Sequence, residues 1–257
     1  LIPPGAGTHR RACTLPVTEV DLIGFARRII LRGVIAGTVM FLVGCATVDN
    51  PDPFEGMNRK VMSFNDGADR LVLKPLARGY VKITSEPVRR SVSNFYDNFA
   101  YPITVLNQFL QGKVSLGFRD LGRFVVNTTL GVLGFFDVAT KFGLEQHDED
   151  FGQTLAVWGF DSGAYFVVPL WGPATTRSGV GDIASFYTHP VQFIEDEYVR
   201  YGLFIGWAIQ TRASLLDAEE LITGDRYLFI RDAFLQRREF LVNDGVIEED
   251  PFLDDFE

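Results

Sequence analysis

The sequence predicts a mainly helical fold with little or no β structure. Through most of residues 54–242, apolar residues recur every three or four positions, which is the spacing of one face of an α-helix. Only the run YFVVPL resembles a strand, and Pro169 restricts it to a sheet edge or a loop. The chain is 47% hydrophobic and holds 23 Phe, so it carries ample apolar surface to bury.

The first 44 residues are predicted to be an N-terminal extension followed by an export signal. Arg27 and Arg28 precede an apolar run that ends in small residues at Cys45. A permanent membrane-spanning helix is the alternative, but only about a dozen apolar residues follow Arg32, whereas a span needs about 20. Residues 42–45, LVGC, resemble the lipobox of bacterial lipoproteins, so we expect acylation at Cys45; a lone buried cysteine is the alternative.

The remainder of the chain divides into three predicted parts. Residues 45–53 read as a lipidated tether, because two prolines and acidic residues favour an extended linker. Residues 54–242 form a single helical domain, and residues 243–257 form an acidic flexible tail. The net charge of −9 argues against nucleic-acid binding, which requires an excess of basic residues.

Two amphipathic helices are predicted at the start of the domain. Met57, Val61 and Phe64 share one helical face, and we expect this helix to end before Pro75. The next helical segment opens at residue 87 and is expected to close at Pro102.

Residues 114–136 combine many apolar side chains with four glycines. Each glycine inside a soluble helix costs about 1 kcal/mol relative to alanine, whereas helices packed in lipid use small residues for close approach. A tightly packed soluble core with glycine at its turns remains the alternative. The glycines are Gly117, Gly122, Gly131 and Gly134.

Two further helices are predicted over residues 203–222 and 225–242. Neither residues 114–136 nor residues 201–211 are long and uncharged enough to cross a bilayer. The helices could instead lie within one leaflet, with apolar outer faces and polar inner faces.

No catalytic, metal or cofactor site is expected from the motifs. His147 lies in an acidic loop and His189 precedes a proline, and neither adjoins a nucleophile motif. The stretch around Ser162 is not a G-x-S-x-G elbow. After Cys45 the chain has two isolated histidines and no paired cysteines, which gives no zinc cluster. A lipoprotein phospholipase or esterase, which would need a serine near one of these histidines, remains an alternative, as does a structural scaffold of the envelope.

Several long stretches carry a family resemblance. They are DPFEGMNRKVMSFND at 52–66, NQFLQGK at 107–113, GRFVVNTTLGVLGFFDVA at 122–139 and EDFGQTLAVWGFDSGAYFVVPLWGP at 149–173. With TRASLLD and FLQRREFLVNDG near the end, they cover nearly all of residues 50–245. These stretches resemble the MlaA (VacJ) family of Gram-negative outer-membrane lipoproteins.

The resemblance implies a specific architecture and activity. Members of this family are rings of amphipathic helices that lie in the periplasmic leaflet of the outer membrane around a central amphipathic channel. They remove mislocalised phospholipids from the outer leaflet, pass them to the periplasmic carrier MlaC and associate with trimeric porins. The resemblance therefore implies a lipid-anchored protein that maintains lipid asymmetry without an enzymatic step.

A phospholipid path needs polar groups within apolar surroundings, and nine residues are candidates for it. Phe64 is the candidate gate, because a bulky ring beside polar groups could block or admit an acyl chain. For the polar candidates, a surface or capping role is the alternative. The candidates are Phe64, Asn65, Asp66, Asn107, Gln108, Lys113, Arg119, Arg123 and Asn127.

Overall fold

The folded body is helical from its first turns onward. A computed structural model describes residues 50–246 of the chain. The predicted lipidation site Cys45, most of the tether and residues 247–257 of the tail lie outside these described residues, so lipidation remains a prediction. The division of the chain into leader, tether, domain and tail also remains a prediction.

The first helical run does not stop at Pro75. Helix α1 (Glu55–Ala68) continues into a π-helical segment (Asp69–Leu73) and then into α2 (Lys74–Ile83). The predicted end before Pro75 is therefore wrong. Pro75 lies two residues after the π-helical segment, so the helical run passes through a residue that cannot donate a backbone hydrogen bond.

The second run, α3 (Glu86–Leu110), likewise passes through a proline, so the predicted end at Pro102 is wrong. Pro102 removes one backbone donor from the helix. The helix continues because side chains on both sides of Pro102 contribute to one buried face, including Asn98 before it and Gln108 after it. Tertiary packing thus overrides the local proline signal.

Helix α4 (Val114–Thr129) follows α3 after a three-residue connection and packs against it. A Cβ added to Gly117 would lie 2.8 Å from the ring of Phe109, so glycine is needed for this close approach. Gly131 and Gly134 follow the helix, where the chain turns. Gly134 has a φ of +93° and faces Asn98.

The middle of the chain carries short elements. A 3₁₀ helix (Ala139–Phe142) precedes α5 (Phe151–Val157). Strands β1 (Tyr165–Val168) and β2 (Gly172–Thr175) form an antiparallel pair, with Tyr165 opposite Thr175. Helix α6 (Thr176–Thr188) begins at a capping box between Thr175 and Ser178, and a second 3₁₀ helix (Pro190–Phe193) follows. The hint of a strand in YFVVPL is confirmed.

Two helices complete the described chain. Helix α7 (Glu197–Ser214) starts earlier than the predicted residue 203, because the Asp196 side chain accepts the N–H groups of Tyr198 and Val199. A 3₁₀ helix (Ala218–Leu221) separates α7 from α8 (Arg226–Val242). The prediction of a helix up to residue 242 is confirmed, with Asp225 as its N-cap.

A small core joins the first and last helices to the strand pair. Asn58 of α1 donates to Asp52 Oδ1 at 2.8 Å and accepts from the backbone N–H of Val167 at 3.0 Å. The Tyr227 hydroxyl of α8 donates to the same carboxylate, and Tyr165 packs beside it. Asp52, which the sequence places in an extended tether, is therefore buried and belongs to the folded body.

The fold is inverted relative to a water-soluble protein. Among the described residues, more polar than hydrophobic side chains are buried, whereas large apolar side chains are exposed on most helices. The mainly helical prediction is confirmed, and the ring arrangement remains a prediction. Within residues 50–246, every helix is too short or too polar to reach across a bilayer.

Candidate functional site

Polar side chains of α3 and α4 meet in the interior, and we call them the α3–α4 polar cluster. At its centre, the Asp120 carboxylate is fully buried. It accepts hydrogen bonds from the Tyr101 hydroxyl at 2.7 Å and from Gln108 Nε2 at 3.0 Å, and His147 Nδ1 lies 2.8 Å away. Burial raises the pKa of Tyr101, which keeps its hydroxyl protonated as a donor. The cluster comprises Tyr101, Gln108, Asp120, Arg123, Asn127, Asp137 and His147.

Arg123 forms the cationic end of the cluster and is almost fully buried. Its guanidinium lies 2.9 Å from Asp137 Oδ2 and donates to the Leu144 carbonyl at 2.5 Å and to Thr140 Oγ1 at 2.9 Å. Burial alone would raise the pKa of Asp137, but hydrogen bonds from Thr140 and Arg123 hold it below its ordinary value. The Asp137 carboxylate is therefore ionised and held in place by Arg123.

Asn127 connects α4 to the turn that follows it. Its Oδ1 accepts the backbone N–H groups of Val138 and Ala139 at 2.9 and 2.8 Å, and its Nδ2 donates to Asp137 at 3.1 Å. These bonds hold the start of the first 3₁₀ helix, so Asn127 has a capping role. Any role in lipid handling remains a prediction.

Three other candidates on α3, α4 and their connection lie beside this cluster. Asn107 is fully buried and accepts from Thr154 Oγ1 at 2.6 Å. Lys113 Nζ lies 3.0 Å from Glu149 and also pairs with Asp244. Arg119 is exposed, with a guanidinium contact of 3.4 Å to the Gly143 carbonyl.

The candidates on α1 occupy a different part of the fold. Asn65 donates to the Val168 carbonyl at 3.0 Å and accepts from the Leu170 N–H at 2.7 Å, so it holds the turn between the strands. Asp66 lies 3.4 Å from Arg226. The Phe64 ring is 58% exposed. Among the described residues, no hydrogen bond or ion pair joins this set to the α3–α4 polar cluster.

The cluster includes residues that the sequence reasoning missed, notably Tyr101 and Asp120. The signal that could have revealed them is a polar stripe rather than an apolar one. On α4, Asp120, Arg123 and Asn127 follow helical spacing and are all buried. A search for apolar periodicity passes over such a stripe.

The exposed face of α4 shows the complementary pattern. Val114, Phe118, Leu121 and Val125 recur at the same spacing, and each is exposed. Helix α4 therefore presents a polar face to the interior and an apolar face to the surroundings. An amphipathic helix oriented in this way is suited to hydrocarbon rather than water outside the protein.

The two histidines differ in their surroundings. His147 has the Asp120 carboxylate at 2.8 Å, whereas His189 Nδ1 accepts the N–H of Val191 at 3.1 Å and its ring packs against Phe99. Burial lowers the pKa of His189. In the described part of the chain, neither ring is hydrogen-bonded to a serine hydroxyl, and no group of three potential ligand side chains could hold a metal ion.

Comparison with known proteins identifies the family. A family model described as MlaA lipoprotein matches residues 50–241. The chain belongs to the MlaA family. The resemblance seen in the sequence motifs is thus confirmed.

Relatives within the MlaA family match along most of their length. The Escherichia coli (strain K12) protein named intermembrane phospholipid transport system lipoprotein MlaA is 34% identical over 233 residues, covering 85% of this chain and 90% of that protein. The Haemophilus influenzae protein of the same name is 31% identical over 224 residues, covering 81% of this chain and 88% of its own.

A solved structure shares the MlaA fold with this chain. That structure was reported under the description "Structural basis for maintenance of bacterial outer membrane lipid asymmetry". The TM-score is 0.66 at 33% sequence identity, and the match covers 75% of this chain and 99% of the other. The helical architecture with its small strand pair is therefore the MlaA fold.

Proposed function

We propose that this protein is an outer-membrane lipoprotein of intermembrane phospholipid transport. It removes mislocalised phospholipids from the outer leaflet and so maintains lipid asymmetry. Membership of the MlaA family and the names of its relatives support this function. The observation that carries the physical argument is the inverted burial of α4, with Asp120, Arg123 and Asn127 inside and apolar side chains outside.

The inverted helices suit a protein that moves lipid. Exposed apolar faces match hydrocarbon, so the body lies within one leaflet beside the molecules that it transports. A phospholipid headgroup needs a polar route past these faces, because transfer of its charges into hydrocarbon is costly. The polar interior of α3 and α4 offers such an environment.

The hydrogen bonding of the interior has a consequence for transport. Arg123 and Asp120 are already satisfied by protein partners, so they compete weakly for a passing headgroup. A route lined by satisfied polar groups lowers the barrier for the headgroup without creating a deep binding well. Lipid can then move on to a carrier, and no covalent bond is broken.

The finer assignments are part of the same proposal. Acylation of Cys45 anchors the protein in the periplasmic leaflet of the outer membrane. Trimeric porins hold it in place, and the carrier MlaC receives the lipid. Phe64, which is exposed at the surface of α1, acts as the gate.

The experiment that tests this function measures phospholipid in the outer leaflet of cells. A strain that lacks its own family member is complemented with this chain, and surface phospholipid is measured by a surface-accessible acyl-transfer reaction. We expect the wild-type chain to lower surface phospholipid and Cys45→Ser to do so less well. Unchanged surface phospholipid, at wild-type expression and membrane localisation, would contradict the proposal.

The same cells distinguish the alternative functions. A phospholipase would release fatty acid from labelled phospholipid, and release that is lost in His147→Ala would favour it. A scaffold would bind porins while surface phospholipid remained unchanged. Transport predicts intact lipid and a lowered surface level.

A further inference from the structure

A surface cleft between α1, the π-helical segment and the start of α8 is separate from the α3–α4 polar cluster. Its volume is about 330 Å³. Three arginines line it, Arg59, Arg70 and Arg226, against a single acidic side chain, Asp66. Small-molecule sites range from about 300 to 1,000 Å³, so the cleft has room for a small charged group but not for two acyl chains.

Two of these arginines have unused hydrogen-bonding capacity. Arg226 approaches Asp66 at 3.4 Å and Glu219 at 3.8 Å but makes no hydrogen bond to any described side chain or carbonyl. Arg70 makes neither a hydrogen bond nor an ion pair within residues 50–246. A guanidinium carries five N–H donors in a planar fork, which matches the oxygens of a phosphate.

The third arginine is fixed and gives the cleft a rigid wall. Arg59 binds Glu55 at 2.7 Å and Asp225 at 2.9 Å, and its guanidinium lies 4.5 Å from the centre of the Tyr227 ring. Tyr227 is itself buried and bonded to Asp52. The cleft is therefore formed before any ligand arrives, which lowers the entropic cost of binding.

The backbone beside the cleft is unusual. Arg70 lies in the π-helical segment Asp69–Leu73, within an otherwise continuous helical run. Such π turns are rare and occur frequently at functional sites. The neighbouring side chains Leu71 and Val72 are exposed and apolar, so a hydrophobic surface adjoins the cationic cleft along the chain.

We propose that this cleft binds a phosphate group, which in phospholipid transport is the phosphodiester of a lipid headgroup. Arg70 and Arg226 donate to the phosphate oxygens, whereas Arg59, whose charge is offset by Glu55 and Asp225, keeps the wall of the cleft in place. The acyl chains lie outside the cleft, on the apolar surface that begins at Leu71 and Val72. This inference rests on the proposed function, because transport supplies the lipid.

Binding of short-chain lipids tests the proposal. The detergent-solubilised full chain is titrated by calorimetry with dihexanoyl phosphatidylethanolamine, dihexanoyl phosphatidylglycerol, dihexanoyl glycerol and inorganic phosphate. We expect both phospholipids to bind and the diacylglycerol, which lacks phosphate, to bind at least tenfold more weakly. Arg70→Gln and Arg226→Gln should each weaken phospholipid binding about tenfold, the effect of losing one charge-assisted interaction.

Arg78→Gln is the matched control. Arg78 is an exposed arginine of α2 that does not line the cleft, so its variant should bind phospholipid as the wild type does. Equal binding by Arg70→Gln, Arg226→Gln and Arg78→Gln would overturn the proposal. Equal binding of diacylglycerol and phospholipid would overturn it as well.

Two further comparisons complete the test. One distinguishes a lipid headgroup from free phosphate, and the other distinguishes failure of the cleft assignment from failure of the proposed function. Inorganic phosphate that binds through Arg70 and Arg226 without being displaced by phospholipid would assign the cleft to free phosphate and overturn the headgroup assignment. Wild-type clearance of surface phospholipid in cells tests transport independently. If clearance is normal while calorimetry shows no dependence on the two arginines, the cleft assignment fails and the proposed function stands.

Discussion

At the scale of single residues, the interior depends on buried polar groups that bond to one another, although Gln108 Oε1 and the Tyr165 hydroxyl have no hydrogen-bond partner within residues 50–246. Asp120 is the clearest case, because one solvent-inaccessible carboxylate is contacted by Tyr101, Gln108 and His147. Buried polar groups are costly when a partner is removed, since the remaining groups have lost water as well. Stability should therefore be more sensitive to polar than to apolar substitutions.

Replacement of Asp120 tests this dependence. Asp120→Ala removes the acceptor of two hydrogen bonds and should lower the free energy of unfolding by about 3 kcal/mol. Asp161→Ala is the control, because Asp161 is exposed and forms no ion pair with a described residue. Thermal unfolding in detergent, followed by circular dichroism, measures both. Equal melting temperatures for the two variants would contradict the role given to Asp120.

Glu219 makes a residue-scale prediction about pH. Hydrogen bonds from Arg212 and then Lys74 lower the pKa of Glu219 from 4.5 to about 2. Because the folded pKa lies below the unfolded one, this carboxylate stabilises the fold above about pH 4.5, and the contribution is lost as the pH falls towards 2. The side chain is 25% exposed, so we expect about 1–2 kcal/mol at neutral pH.

Glu219→Gln should remove this contribution. Urea unfolding in detergent at pH 7 and pH 3 should show the variant less stable at pH 7, with a smaller loss between the two values than the wild type. Glu220→Gln serves as the control, since the Glu220 side chain is exposed and forms no ion pair in the described chain. An unchanged pH dependence in Glu219→Gln would count against the ion pairs.

At the scale of elements, helices are the part that the sequence predicts well, and their ends are the part that it predicts badly. Periodicity places α1 and α3 because one face of each helix is more apolar than the other. The helix ends predicted at Pro75 and Pro102 are wrong, because the effect of a proline on the helix is local. The helices continue through contacts made elsewhere in the fold. The buried polar face of α4 was missed because the sequence was read for apolar residues at helical spacing, and the buried residues of this helix are polar.

The same limit applies to the candidate residues. Sequence reasoning selected Gln108, Arg123 and Asn127, which the fold brings into one cluster, from polarity within apolar helices. It could not predict their partners Tyr101 and His147, which are distant in sequence from one another. Those contacts depend on how α3, α4 and the following loop pack.

The turn after α4 contains residues with positive φ, and we expect substitutions at two of these positions to change stability in opposite directions. Val132 has a φ of +54°, which strains a β-branched residue, whereas Gly134 has a φ of +93°. Val132→Gly should raise stability by about 1 kcal/mol. Gly134→Ala should lower it by at least that amount, because its Cβ would lie 2.3 Å from Asn98 Cβ. Thermal unfolding of both variants checks the signs, and a stabilised Gly134→Ala would contradict this turn geometry.

The apolar face of α4 can be tested by adding a charge. In a Cys45→Ser background, which removes the predicted acylation site, Val125→Glu places a carboxylate on the exposed face. Burial of a charge in hydrocarbon costs about 2.5–3.5 kcal/mol, so partitioning into vesicles should fall by roughly a hundredfold. Thr223→Glu adds the same charge at an exposed polar loop position and should change little. Vesicle co-flotation measures both, and equal loss in the two variants would contradict the lipid-facing orientation of α4.

At the scale of the whole molecule, large apolar side chains lie outside and polar networks lie inside the described body. This arrangement supports the proposal that the outer surface of the protein lies in lipid. Such a body needs no spanning helix to be held in a membrane. Its family and its relatives act in phospholipid transport, which is the setting in which this inversion is useful. Immersion of the outer surface in hydrocarbon is therefore the central physical requirement of the proposed function.

Tryptophan fluorescence measures that immersion most directly. The chain has 3 Trp, and Trp158, Trp171 and Trp207 are 55%, 52% and 39% exposed. The Cys45→Ser protein is mixed with vesicles whose phospholipids carry bromine on their acyl chains. We expect the protein to float with the vesicles and bromine to quench its fluorescence. The contradicting result is a protein that stays monodisperse without detergent, does not float with the vesicles and keeps its fluorescence. Such a result would show that the outer surface does not lie in hydrocarbon.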